Sequence, residues 1–160
     1  MATIKEAFAA SGAITITLNA LASSATVGRE ATAIDNSSNL YLDALVYVAL
    51  NTTTGAAPAN DKCAYVYAYG SEDGTNYTDN ATGSDAAITL LSPTNLKLVN
   101  VISMPSTATS VTYKTVFPVA PAFGGVLPRK WGIVVRNYCG ITLGAANNVA
   151  SYSGVYATST

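Results

Sequence analysis

The chain has 160 residues, a formal net charge of −1 and no histidine. This length matches one domain, able to bury roughly 70% of its unfolded surface. Eight scattered basic residues argue against nucleic acid and anionic membranes as partners. The missing histidine excludes Ser-His-Asp and Cys-His catalytic arrangements.

The polar residues carry little charge. The chain contains 20 Thr, 14 Ser and 12 Asn but only eight basic and nine acidic residues. Identical copies with such a surface meet little electrostatic repulsion at close range, so we expect a homo-oligomer. No stretch reaches the 18 or so apolar residues of a membrane-spanning helix, and we expect no membrane partner.

The N-terminal segment 1–11 is predicted to be a short arm with one helical turn over 4–10, and 12–160 is predicted to be a single domain. Glu6 interrupts the basic part of any secretory leader, and polar residues interrupt the apolar part, so we expect no signal peptide. The first strand is predicted at about 13–22, where three apolar residues alternate with polar ones: Ile14, Ile16 and Leu18.

Two central segments alternate strongly. Within 39–51, one predicted face is apolar: Leu40, Leu42, Ala44, Val46, Val48 and Leu50. Within 62–70, the four residues Cys63, Tyr65, Tyr67 and Tyr69 share a face. This period of two indicates strands. Asp73 and Gly74 then predict a tight hairpin turn leading into a strand at 76–78.

The second half of the chain continues as short strands separated by turn residues. They are predicted at 87–91, 95–104, 110–119, 130–138 and 151–157. The proline-containing stretch 118–128 is predicted to be a long crossover loop, because proline donates no backbone hydrogen bond to a sheet. Eight or nine strands spaced in this way predict an all-β fold, a two-sheet antiparallel β-sandwich or jelly roll.

The clearest candidate contact surface is the tyrosine row Tyr65, Tyr67 and Tyr69. Tyrosine combines a large apolar ring with a hydroxyl that favours interfaces. The row is open to three interpretations: it covers one sheet face, it contacts another subunit, or it stacks on a sugar. Trp131, on an alternating strand, is predicted to be a core anchor.

The acidic residues form no recognisable catalytic or metal motif. A glycosidase pair would have to come from Asp35, Asp43, Glu72, Asp73, Asp79 and Asp85, none of which lies in a family-like motif. The last four could gather around calcium, but local turn stabilisation is the favoured interpretation. We predict no enzyme activity, no metal and no cofactor.

Cys63 and Cys139 are interpreted as buried, reduced side chains. A disulfide between them would require neighbouring strands whose Cα atoms lie within about 7 Å of each other.

Two segments, 65–78 and 131–140, resemble the strand, Asp-Gly hairpin and late core strand of discoidin-like and other galactose-binding jelly rolls. This resemblance implies a jelly-roll fold and a possible glycan partner.

The chain as a whole resembles small virion proteins of tailed phages, through 28–36, 39–43 and 127–132. That resemblance implies a virion protein made in the host cytoplasm, present in many copies and bound to other virion proteins. A capsid decoration or cement protein, bridging capsomers of the major capsid protein, is the leading hypothesis. The alternatives are a carbohydrate- or receptor-binding module and a tail or baseplate accessory protein.

Overall fold

The computed structural model describes residues 3–59 and 61–159, in which eleven strands are assigned. They are β1 (Ile4–Phe8), β2 (Gly12–Ala13), β3 (Val27–Glu30), β4 (Ile34–Asp35), β5 (Asp43–Asn51), β6 (Cys63–Ser71), β7 (Ala86–Thr89), β8 (Lys97–Ser103), β9 (Thr112–Pro118), β10 (Lys130–Tyr138) and β11 (Val149–Ser159). A 3-10 turn, Ala120–Phe123, interrupts the loop between β9 and β10. This part of the chain has no helix long and apolar enough to span a membrane.

The strands form two antiparallel sheets. The five-stranded sheet has the order β1-β11-β5-β9, with β2 also paired to β11. The six-stranded sheet has the order β7-β3-β10-β6-β8, with β4 also paired to β10. The two-sheet antiparallel β-sandwich predicted from the alternation is thus confirmed, while the jelly-roll subtype stays a prediction.

The core lies between the sheets and is built from the inward residues of the central strands. Ala44, Val46, Val48 and Leu50 of β5 are all buried, as their alternation predicted. Trp131 of β10 is completely buried and meets the Tyr152 ring edge-on at 5.5 Å between centroids. Its predicted role as a core anchor is confirmed.

Two predictions for the N-terminal region were wrong. Residues 4–10 do not form a helical turn: β1 pairs in register with β11, from Ile4 opposite Ser159 to Phe8 opposite Val155. Pairing with β11 gives the backbone N–H and C=O groups of β1 hydrogen-bond partners, whereas an isolated helical turn is unstable in water. Most of 13–22 is irregular, since its backbone hydrogen bonds reach three separate segments, through Ala150, Thr32 and Gly144.

Other predicted strands differ in extent or number. The strand expected at 76–78 is absent from the described structure, because Asp73 accepts backbone N–H groups of Thr75 and Asn76 and folds the chain into a turn. Residues 40 and 42 lie before β5 rather than within it. The strands β1, β3 and β4 were not predicted, which raises the count from eight or nine to eleven.

Candidate functional site

The tyrosine row lies on the outer face of the six-stranded sheet, and the chain covers part of it. Tyr69 is completely buried and Tyr67 is nearly so, because both belong to a second apolar cluster with Ile88 and Leu96. Only Tyr65 stays half-buried. Residues 72–96, which we call the covering segment, form the edge strand β7 at their centre and pack over the row on either side of it. They leave the Tyr65 end of the row open.

Buried polar contacts hold the covering segment in place. The carboxylate of Glu30, 1% exposed, accepts the backbone N–H groups of Thr82, at 2.8 Å, and Gly83. Arg29 on the same strand donates from Nε to Asp85 Oδ1 at 2.5 Å. A buried carboxyl group that accepts two backbone N–H groups is a strong anchor, because leaving it without partners would cost several kcal/mol. The cover is thus fixed to β3.

At the open end, a guanidinium group is surrounded by aromatic rings. The Arg136 Cζ atom lies 4.4 Å from the Tyr65 ring centroid, 5.2 Å from that of Tyr138 and 6.0 Å from that of Tyr67. Register places Arg136 directly opposite Tyr65. These cation–π contacts, with a 2.9 Å hydrogen bond from Nη1 to the Ala25 carbonyl, orient the group.

The Arg136 guanidinium is not fully hydrogen-bonded. Its Nε atom is buried and has no hydrogen-bond partner among the described residues. Among the described residues, Arg29 and Asp85 form an ion pair within 4 Å. No described acidic side chain lies that close to the Arg136 guanidinium. A buried donor without an acceptor is unusual in native proteins, and a guanidinium can donate five hydrogen bonds.

A pocket of about 330 Å³ opens beside this guanidinium. Its lining combines apolar side chains, hydroxyls and the arginine: Ala25, Thr26, Tyr67, Leu90, Leu91, Ser92, Pro93, Thr94 and Arg136. No carboxylate belongs to this lining. Asp79 lies outside the lining and accepts from Thr94 Oγ1, which belongs to it, and from Asn95. Arg136 is therefore the charged residue of the lining.

The carboxylates singled out in the sequence serve separate parts of the fold. Asp73 stabilises its own turn, Asp79 binds the 94–95 segment and Asp85 binds Arg29 and Thr17. Asp35 accepts a hydrogen bond from the backbone of Ser37, and Asp43 accepts hydrogen bonds from the backbone N–H groups of Val119 and Ala120. Glu72 is exposed. In residues 3–59 and 61–159, no three His, Cys, Asp or Glu side chains are grouped to hold a metal.

The two cysteines are buried free thiols, as predicted. Cys63 begins β6 and lies opposite Tyr138 in register, so its strand neighbours the one that precedes Cys139. The structure contains no disulfide between them.

The outer face of the five-stranded sheet is a second candidate surface, and it is uncovered. We call it the outer apolar face; strand register places Phe8, Leu45, Tyr47, Val116 and Pro118 on it, together with Ser151 and Ser153 of β11. Phe8 is 56% exposed and Val116 is 61% exposed. A depression of about 260 Å³ lies between these two residues. A water-facing sheet surface normally carries polar side chains, so this face is unusual.

Sequence reasoning selected the tyrosine row but missed Arg136 and the pocket. The available signal was the strand 130–138, whose alternation places Arg136 and Tyr138 on one face. Comparisons add no assignment: no family model, no curated protein and no solved structure matches the chain.

Proposed function

We propose that this protein is a non-enzymatic structural subunit of a tailed-phage virion, a capsid decoration protein that bridges neighbouring capsomers. The observation that carries the proposal is the outer apolar face. Contiguous exposed apolar patches mark protein contact sites, because their burial removes apolar area from water. Phage origin rests on the resemblance of the whole chain to small virion proteins.

The composition of this face fits contact with other protein subunits. The depression between Phe8 and Val116 has no charged side chain in its lining; by register, Lys114, Glu6 and Asp43 lie on the same face around it. Charged residues are depleted at the centres of protein interfaces, where aromatic residues are enriched. Phe8 and Tyr47 supply the aromatic rings.

Strands β1 and β11 add to this surface at one end of the sheet. Pairing of β11 with β5 ends where Val155 meets Asp43, whereas pairing of β11 with β1 continues to Ser159. The ends of β1 and β11 thus pair beyond the last contact with β5, where residues 39–42 lie beside Tyr156 and Ala157 and Ile4 is 77% exposed. This exposed end of the strand pair offers further contact area to an adjacent capsomer.

The proposal is tested by mixing purified protein with capsids that lack it and counting bound copies by quantitative mass spectrometry. Saturable binding of hundreds of copies per shell is expected. Val116→Lys places a charge beside Tyr47 on the outer apolar face and should reduce occupancy at least about tenfold, since burying an unpaired charge is costly.

Val101→Lys is the matched control. Val101 is a strand valine, 45% exposed, on the outer face of the opposite sheet. Occupancy of this variant should equal that of the unsubstituted protein, and both variants should melt within a few degrees of it. Equal occupancy for both variants would contradict the role of the outer apolar face. Binding of only a few copies would favour the tail or baseplate alternative.

A further inference from the structure

We propose that the pocket beside Arg136 binds a small sugar acid, a saturated ring carrying a carboxylate and hydroxyl groups. The carboxylate would meet the Arg136 guanidinium. This inference does not depend on capsid binding, because the pocket and the outer apolar face lie on opposite sheets.

The charge requirement follows from the surroundings of Arg136. Its guanidinium is held by Tyr65, Tyr138 and the Ala25 carbonyl, yet no described acid neutralises it within 4 Å. Partial burial of an unpaired cation is unfavourable, and an anionic ligand relieves that cost. Because three contacts already fix the guanidinium, little side-chain entropy is lost on binding.

The composition of the lining favours a carboxylate over a phosphate. A guanidinium fork matches the two oxygens of a planar carboxylate. Phosphate sites usually add helix N-termini, backbone N–H nests or several cations, whereas Arg136 is the basic residue in this pocket's lining. A singly charged ligand is therefore the better electrostatic match.

The remaining lining favours a hydroxylated ring. Leu90, Leu91 and Pro93 provide apolar contacts for C–H groups, while Thr26 and Ser92 provide hydroxyls that both donate and accept hydrogen bonds. A volume of about 330 Å³ accommodates one sugar ring with its substituents. For a ligand of this size, the expected Kd is on the order of 1 mM.

The test is titration calorimetry and ligand-observed NMR with sodium glucuronate and sodium N-acetylneuraminate. Glucuronamide, the neutral amide of the same sugar, should bind at least about tenfold more weakly than glucuronate, since it loses the charged hydrogen bonds. Equal binding of the amide and the acid would overturn the proposal. Tighter binding of inorganic phosphate or of benzoate would overturn the assignment to sugar acids.

The location is tested at Leu91, which is 43% exposed at the pocket. Leu91→Glu places a carboxylate in the pocket without altering the arginine, and Leu91→Gln is its uncharged match. Glucuronate should bind the Glu variant at least about fivefold more weakly than the Gln variant because like charges repel. Equal affinities would exclude this pocket, provided that circular dichroism shows both variants folded. Arg136→Lys should also weaken binding, since lysine lacks the planar fork.

Discussion

Gly132 is required by the ring that covers it. Gly132 of β10 lies opposite Tyr69 of β6, and a Cβ atom added there would overlap the Tyr69 ring. The ring has little freedom to move: it is completely buried, its hydroxyl donates to the Ala31 carbonyl at 2.6 Å, and Tyr77 packs against it edge-on at 5.8 Å. Gly132→Ala should therefore displace Tyr69 and loosen the covering segment.

The expected destabilisation is about 3 kcal/mol. Overpacking a core site costs roughly 1–3 kcal/mol, and loss of the hydrogen bond from Tyr69 to Ala31 adds about 1 kcal/mol. Total stabilities of single domains are about 5–15 kcal/mol, so the variant should remain folded at 25 °C. Urea unfolding, followed by circular dichroism and tyrosine fluorescence, measures the change in free energy of unfolding.

A second background separates this clash from a general loss of strand stability. If Tyr69 is first replaced by Leu, the added methyl group of Gly132→Ala meets no rigid ring, and its cost should fall to about 1 kcal/mol. The two substitutions should then be non-additive by about 2 kcal/mol, as expected for residues in contact. Additive effects, or a Gly132→Ala cost below about 0.5 kcal/mol, would refute the reasoning.

Two further predictions concern titration and thiol reactivity. Backbone N–H groups of Asn76 and Thr75 lower the pKa of Asp73, so its contribution to stability is complete above about pH 4, the unfolded value, and is lost as the pH falls below it. Asp73→Asn should make the decline in free energy of unfolding below pH 4 shallower; parallel profiles would contradict this. Burial raises the pKa of Cys139 and shields Cys63; both should react with a thiol reagent at least about 100-fold more slowly in native than in urea-unfolded protein. Rapid native labelling would argue against burial.

The central strands could be predicted because their side chains alternate in the sequence. In β5, buried and half-buried positions alternate over 43–48. Strands β6 and β10 are buried on both faces, but in β6 tyrosines alternate with smaller residues that face the core. Strand β3 had no such signal, since Glu30 occupies a buried position and is stabilised by Thr82 and Gly83, some fifty residues later. A charged residue at a buried position breaks the apolar alternation, so the sequence of such a strand resembles that of a loop until the partners of the charge are known.

The candidate site depends on the register in which strands pair, and this register could not be predicted from the sequence. Alternation placed the tyrosine row on one face but could not show that residues 72–96 cover Tyr67 and Tyr69. Arg136 lies about seventy residues after Tyr65, and the two meet only because β10 pairs with β6 in this register. A pocket formed by segments that lie far apart in the chain has no motif within any one stretch of the sequence.

The outer face of one sheet is covered in part and that of the other is exposed, and this difference affects how the protein can assemble with partners. The six-stranded sheet buries its outer apolar residues under the chain's own segment 72–96, whereas the five-stranded sheet leaves Phe8 and Val116 in water. Edge-to-edge addition of a further strand is opposed on β1 by the neighbouring charges Lys5 and Glu6, a common protection of exposed edges. We therefore expect partners to pack on the face of this sheet rather than to extend it, which gives closed contacts on a particle instead of fibres.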